Sequence, residues 1–109
     1  MARPPKVTQS WSIKIGRHRW RVERIAATTI PDPDDPKRRA YGLCYADRRL
    51  IQYCGGTAKE PVSRQTRLDT LIHEGIHAIL AEYRLEEIMA ANLAKLLTAF
   101  LGELDLTND

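Results

Sequence analysis

The spacing of apolar residues changes once along this chain, at Gly55-Gly56, and that change restricts its architecture more than any other feature. Before it, WSIKIGRHRWRV sets Trp11, Ile13 and Ile15, then Trp20 and Val22, at every second position, with Lys14, Arg19 and Arg21 between them. Alternation with period two marks strands buried on one face, and the interruption at Gly16-Arg17 predicts a hairpin with the three cations facing outward. YGLCYADRRLIQYCGG predicts a second hairpin turning about Ala46-Asp47-Arg48, with Leu50, Ile51 and Tyr53 as its apolar positions. Between the two, Pro31 to Arg39 holds three prolines, a block of acids and a block of bases, and is expected to be a loop.

After the glycines the period becomes helical. Thr57 with Glu60, then Pro61 or Ser63, are candidate starts for a helix reaching about Tyr83. A second helix is expected over 86–104, with Met89, Leu93, Leu96, Leu97, Phe100 and Leu104 at helical spacing. Strands followed by two helices imply an α+β fold: a small antiparallel sheet of hairpins packed on one face by two C-terminal helices. At 109 residues one core is affordable and two are not. The expected organisation is a flexible tail over 1–10 and a single domain over 11–109.

No apolar run reaches the roughly 20 residues of a membrane span, and MARPPKVTQS lacks the apolar segment of a secretion signal, so a cytoplasmic protein without membrane attachment is expected. Cys44 and Cys54 then read as free thiols. Charge is strongly segregated. Residues 1–67 carry 15 Lys and Arg against 6 acids, for +9, and residues 68–109 carry 2 against 8, for −6. Either the two halves attract each other, or the basic half, with Lys14, Arg17, Arg19 and Arg21, contacts nucleic acid or an acidic partner.

On the first helix Leu68, Leu71, Ile72, Gly75, Ile76 and Ile79 form one apolar stripe, expected to meet the sheet. His73 and His77 lie off it. Four residues apart, they stack one turn above the other, where both imidazoles can grip one ion. Glu74 is offset beside them, placed to take a proton from water. This is the H-E-x-x-H arrangement, in which zinc holds the nucleophile and the glutamate is the general base. Gly75 costs the helix about 1 kcal/mol relative to alanine, so either another backbone approaches there or the glycine is merely tolerated.

A catalytic zinc normally has a third protein ligand. Glu82, Glu86, Glu87, Glu103 and His18 are the candidates. Glu86 falls near the centre of the second helix's apolar stripe. Glu87 falls at its edge, near Ala90, Ala91 and Ala94, whose small side chains let the helices approach, so Glu87 is favoured and Glu86 is second. Tyr83, Tyr53, Tyr45 and His18 are candidate oxyanion or substrate contacts.

TLIHEGIHAILAEYRLEEIMAANLAKLL resembles the small bacterial and phage zincin-like metallopeptidases of the gluzincin type, SprT-like and IrrE-type in pattern. It carries Thr70-Leu71 before the motif and a glutamate followed by small and apolar residues after it. The resemblance implies a minimal zincin-like fold, Zn2+ bound by His73, His77 and Glu87, and Glu74 as base. It further implies hydrolysis of a peptide or protein substrate by zinc-activated water, with the substrate extended along an edge strand. It covers the C-terminal half; over the first 40 residues there is hardly any likeness. Only nine residues separate His77 from Glu87, short for a gluzincin. The alternatives are a catalytically silent zincin-fold protein that binds nucleic acid or an acidic partner, and an assembly protein with a vestigial site.

Overall fold

The computed structural model describes residues 5–83 and 90–104. β1 (Val7–Ile15) and β2 (His18–Ile25) form the first expected hairpin, closed at Gly16, whose φ of 62° is left-handed. β1 begins inside the stretch expected to be a tail, because Val7 to Ser10 still pair with the far end of β2. The span expected as a loop is instead a short hairpin, β3 (Ile30–Asp32) and β4 (Asp35–Ala40). Its prolines are tolerated because this separate two-stranded sheet needs few amide donors. Aspartates supply the turn: Asp34 N donates to Asp32 Oδ1 at 2.9 Å and Lys37 N to Asp35 Oδ1 at 3.2 Å.

β5 (Gly42–Tyr45), a 3-10 turn over Ala46–Arg48 and β6 (Leu50–Cys54) form the second expected hairpin. The four-stranded sheet has the order β1-β2-β6-β5. It is mixed where an antiparallel sheet was expected: the hairpins join through a parallel pairing of β2 with β6, from Arg21 opposite Leu50 to Ile25 opposite Cys54. The segment between them, 26–49, carries the chain back to the end where β2 starts, so both strands run the same way.

α1 (Arg64–Glu82) starts at Ser63, whose hydroxyl accepts from Thr66 N. The Thr57 and Glu60 signature is satisfied upstream in a turn of its own, with Glu60 N donating to Thr57 Oγ1 at 3.1 Å. α2 spans Ala90–Leu104. The helices cover one face of the sheet. Ile13, Ile15, Trp20, Val22, Ile51 and Tyr53 meet Leu71, Ala78, Ile79 and Phe100 there, all at most 3 % exposed. The buried stripe of α1 is thus rotated from the expected one: Leu71, Gly75, Ala78 and Ile79 face inward with Thr70 and Glu74, while Ile72 is 37 % exposed. A smaller cluster of Ile25, Ile30, Cys54 and Val62 sits at one end of the opposite face. Cys44 and Cys54 are free thiols. Among the described residues no helix is long and apolar enough to cross a membrane.

Candidate metal centre

α1 holds His73 and His77 one turn apart on its exposed side, with their Nε2 atoms 3.2 Å apart and ring centroids 4.8 Å apart. Two imidazole lone pairs at that separation repel unless a proton or a cation lies between them. A tetrahedral ion bound at about 2.0 to 2.1 Å would hold two nitrogens about 3.3 Å apart, so the separation of the pair matches the bite of a bidentate zinc ligand. One Nε2–H donating to the other Nε2 satisfies the same geometry in the absence of an ion.

Glu74 completes the cluster. Its Oε2 lies 3.9 Å from His73 Nε2, and ligand atoms of all three residues fall within 4.8 Å of one another. His73, Glu74 and His77 are therefore a cluster with metal-ligand spacing. The histidine side is open to solvent, but Glu74 is only 8 % exposed, because the rotation of α1 turns it toward β5. Burial pushes its carboxyl up from the ordinary range, and the neighbouring His73 partly opposes this. Across from it, burial raises the Cys44 thiol to about 11, with the Glu74 charge adding to the effect. Cys44 is thus a neutral wall at ordinary pH rather than a thiolate.

β5 comes this close because Gly42 has no side chain. A Cβ there would lie 2.5 Å from Thr70 Cγ2 and 2.7 Å from the Gln52 carbonyl oxygen. β5 is an edge strand, paired only with β6 among the described residues. Its inner side, α1 and the β3–β4 hairpin enclose an open cavity of about 680 Å³ whose walls include His73, Glu74, His77, Cys44, Tyr41 and Arg38.

Several expected participants stand elsewhere. Glu82 accepts from Arg49 Nε at 2.8 Å, Trp20 Nε1 at 2.8 Å and His18 Nδ1 at 2.7 Å, at the far end of α1. Glu82 and His18 are engaged there and are not among the described residues that cluster with His73 and His77. Glu103 is exposed near the end of α2 and is not in the cluster. Tyr53 is 3 % exposed and stacked on Trp11 with centroids 6.2 Å apart, so its ring belongs to the core. Tyr83 caps α1 and lies over Gly16, and Tyr45 carries the Arg48 guanidinium 5.3 Å from its ring centroid. None of these four aromatic or imidazole groups lines the cavity; the aromatic that does is Tyr41, half exposed where β4 passes into β5. Glu86 and Glu87 lie outside the described residues.

Tyr41 and Cys44 were overlooked in the sequence because neither belongs to a spacing motif. The usable signal was Gly42, a glycine inside a strand pattern, which marks a close backbone approach. The chain matches no family model, no curated protein and no solved structure.

Proposed function

We propose that this protein is a minimal zincin-like metallopeptidase that hydrolyses a peptide bond in an extended substrate laid along β5. The observation that carries the reading is the 3.2 Å approach of His73 Nε2 to His77 Nε2 with the Glu74 carboxyl alongside, at the wall of an open cavity. In this reading His73 and His77 hold Zn2+, with Glu87 as third ligand and Glu86 as the second choice. When bound, the cation supplies Lewis acidity, making water more acidic and the amide carbonyl more electrophilic.

The chain's own residues do the rest. Glu74 accepts the proton of the attacking water at its carboxylate and returns it to the leaving nitrogen. Its burial suits the task, since a carboxylate with a raised pKa is a better base than one in bulk solvent. The free N–H and C=O groups of β5 can pair with an extended substrate and hold the scissile amide in register with the histidine pair. Tyr41 is placed to contact that substrate from the cavity wall.

Glu74→Gln is the test. The variant is expected to keep its zinc stoichiometry, measured by metal analysis, and to lose at least about a hundredfold in turnover of a casein or peptide-library substrate. Equal cleavage by wild type and variant defeats the assignment of Glu74.

A further inference from the structure

The helices cover only one side of the four-stranded sheet. On the other side, the small cluster of Ile25, Cys54 and Val62 occupies one end. Toward the β1–β2 turn Leu50 of β6 is 5 % exposed beside Arg21, but the outward side chains of β1 and β2 are open. Because Ile13, Ile15, Trp20 and Val22 point into the core, the intervening Ser12, Lys14, Arg19 and Arg21 point outward there, all exposed. Lys14 stands directly opposite Arg19, and Ser12 opposite Arg21. Two cations facing each other across neighbouring strands cost stability. The acid nearest them, Glu23, accepts from Gln52 Nε2 at 2.9 Å and is 3.9 Å from Arg21, whose own side chain stays 68 % exposed. The charge segregation of the sequence is therefore not cancelled at this face by the described acids of the helices: Glu82 is spent on Arg49 and His18.

We infer that this exposed, basic strip of β1 and β2 on the outer sheet face binds the phosphate backbone of duplex DNA. Three features select that partner. Exposed guanidinium and ammonium groups flanked by serine hydroxyls are the groups that contact phosphates. The patch has no exposed apolar anchor of the kind an acidic protein partner would need for a stable interface. The ring of Tyr45, across β6 from the patch, already has the Arg48 guanidinium 5.3 Å from its centroid, which competes with any unpaired base that would stack there. The surface is separate from the cavity and does not depend on what the histidine pair does.

The experiment is fluorescence anisotropy of the full chain with a labelled mixed-sequence duplex, the matching single strand and a poly-glutamate peptide, at rising salt. With about three phosphates neutralised, log K should fall with log salt at a slope near −2.7, which is about a 40-fold loss of affinity between about 50 and 200 mM salt. Lys14→Gln, Arg19→Gln and Arg21→Gln should each reduce the slope by about one. The triple variant should lose duplex binding at least tenfold while melting no lower than wild type, since the Lys14 and Arg19 repulsion is removed. Because these side chains are exposed, the single variants decide the matter even if the triple variant melts early. Absence of duplex binding at low salt overturns the inference. So do a slope unchanged in all three single variants, tighter binding of the single strand, or equal binding of poly-glutamate.

Discussion

Glu82 shows what one side chain does for this fold. Its carboxylate, 9 % exposed, gathers an indole, an imidazole and a guanidinium from β2 and from the residue before β6, fastening the end of α1 to the sheet. Burial alone would raise its pKa; hydrogen bonds from Arg49, His18 and Trp20, together with the His18 charge, outweigh that and leave it below the ordinary value. The folded pKa being the lower one, this contribution to stability is complete above the unfolded-state value of about 4.3. It disappears as pH falls through the folded value. Glu82→Gln should accordingly melt below wild type at neutral pH, with the gap closing under acid conditions; thermal melts from pH 7 down to about 3 would follow it. Glu82→Ala should cost about 2 kcal/mol, largely from the Trp20 N–H left without an acceptor. At the histidine pair, within two or three turns of Glu82 on α1, zinc at about a hundredfold above its dissociation constant should stabilise the protein by about 2.7 kcal/mol. That gain should vanish in His73→Ala and His77→Ala, as read by melts with and without chelator. The histidine pair was legible in the sequence because both ligand positions lie on one helix at a spacing of four. Glu82 was not, because its three donors come from residues 18, 20 and 49, distant in sequence.

Two glycines set how closely the elements lie. A Cβ on Gly75 would sit 3.0 to 3.3 Å from the ring of Phe100, itself 1 % exposed. The glycine thus admits a side chain of α2 rather than a backbone. Gly75→Ala gains about 1 kcal/mol of helix propensity but presses on a buried ring that must shift by a few tenths of an ångström, at a cost of about 1 to 3 kcal/mol. A net loss of stability is expected, and it should be smaller in the Gly75→Ala, Phe100→Leu double variant than the two single losses added together, which a double-mutant cycle would measure. Gly42→Ala meets a backbone carbonyl as well as Thr70 and should be the more damaging, by about 2 to 3 kcal/mol, with β5 pushed off α1. Both hairpins and the existence of two helices followed from periodicity, and Ser63 was one of three candidate starts for α1 that caps left open. The β3–β4 hairpin escaped notice because its order comes from aspartate side chains bonding the backbone locally, whereas its prolines argue for a loop. The stripe of α1 was misplaced by part of a turn for a related reason: Thr70, Glu74 and Ala78 are not strongly apolar, yet the edge strand lies over them.

For the molecule as a whole, the strand-then-helix order was enough to give the α+β class and the one-sided covering of the sheet. The parallel union of β2 with β6 could not be read from either strand, since alternation is the same whichever way a neighbour runs. That union has a kinetic consequence. Each hairpin can close on itself within microseconds, but joining them requires the ends of the intervening segment 26–41 to be brought together first, an entropic cost met before any of the core's reward is collected. The cleft, built on the outermost strand of the later hairpin, is consequently assembled near the end of folding. A chain halted just short of that step would present the unzipped margins of β2 and β6 in addition to the edges of β1 and β5, making the nascent state more prone to clump than the finished one.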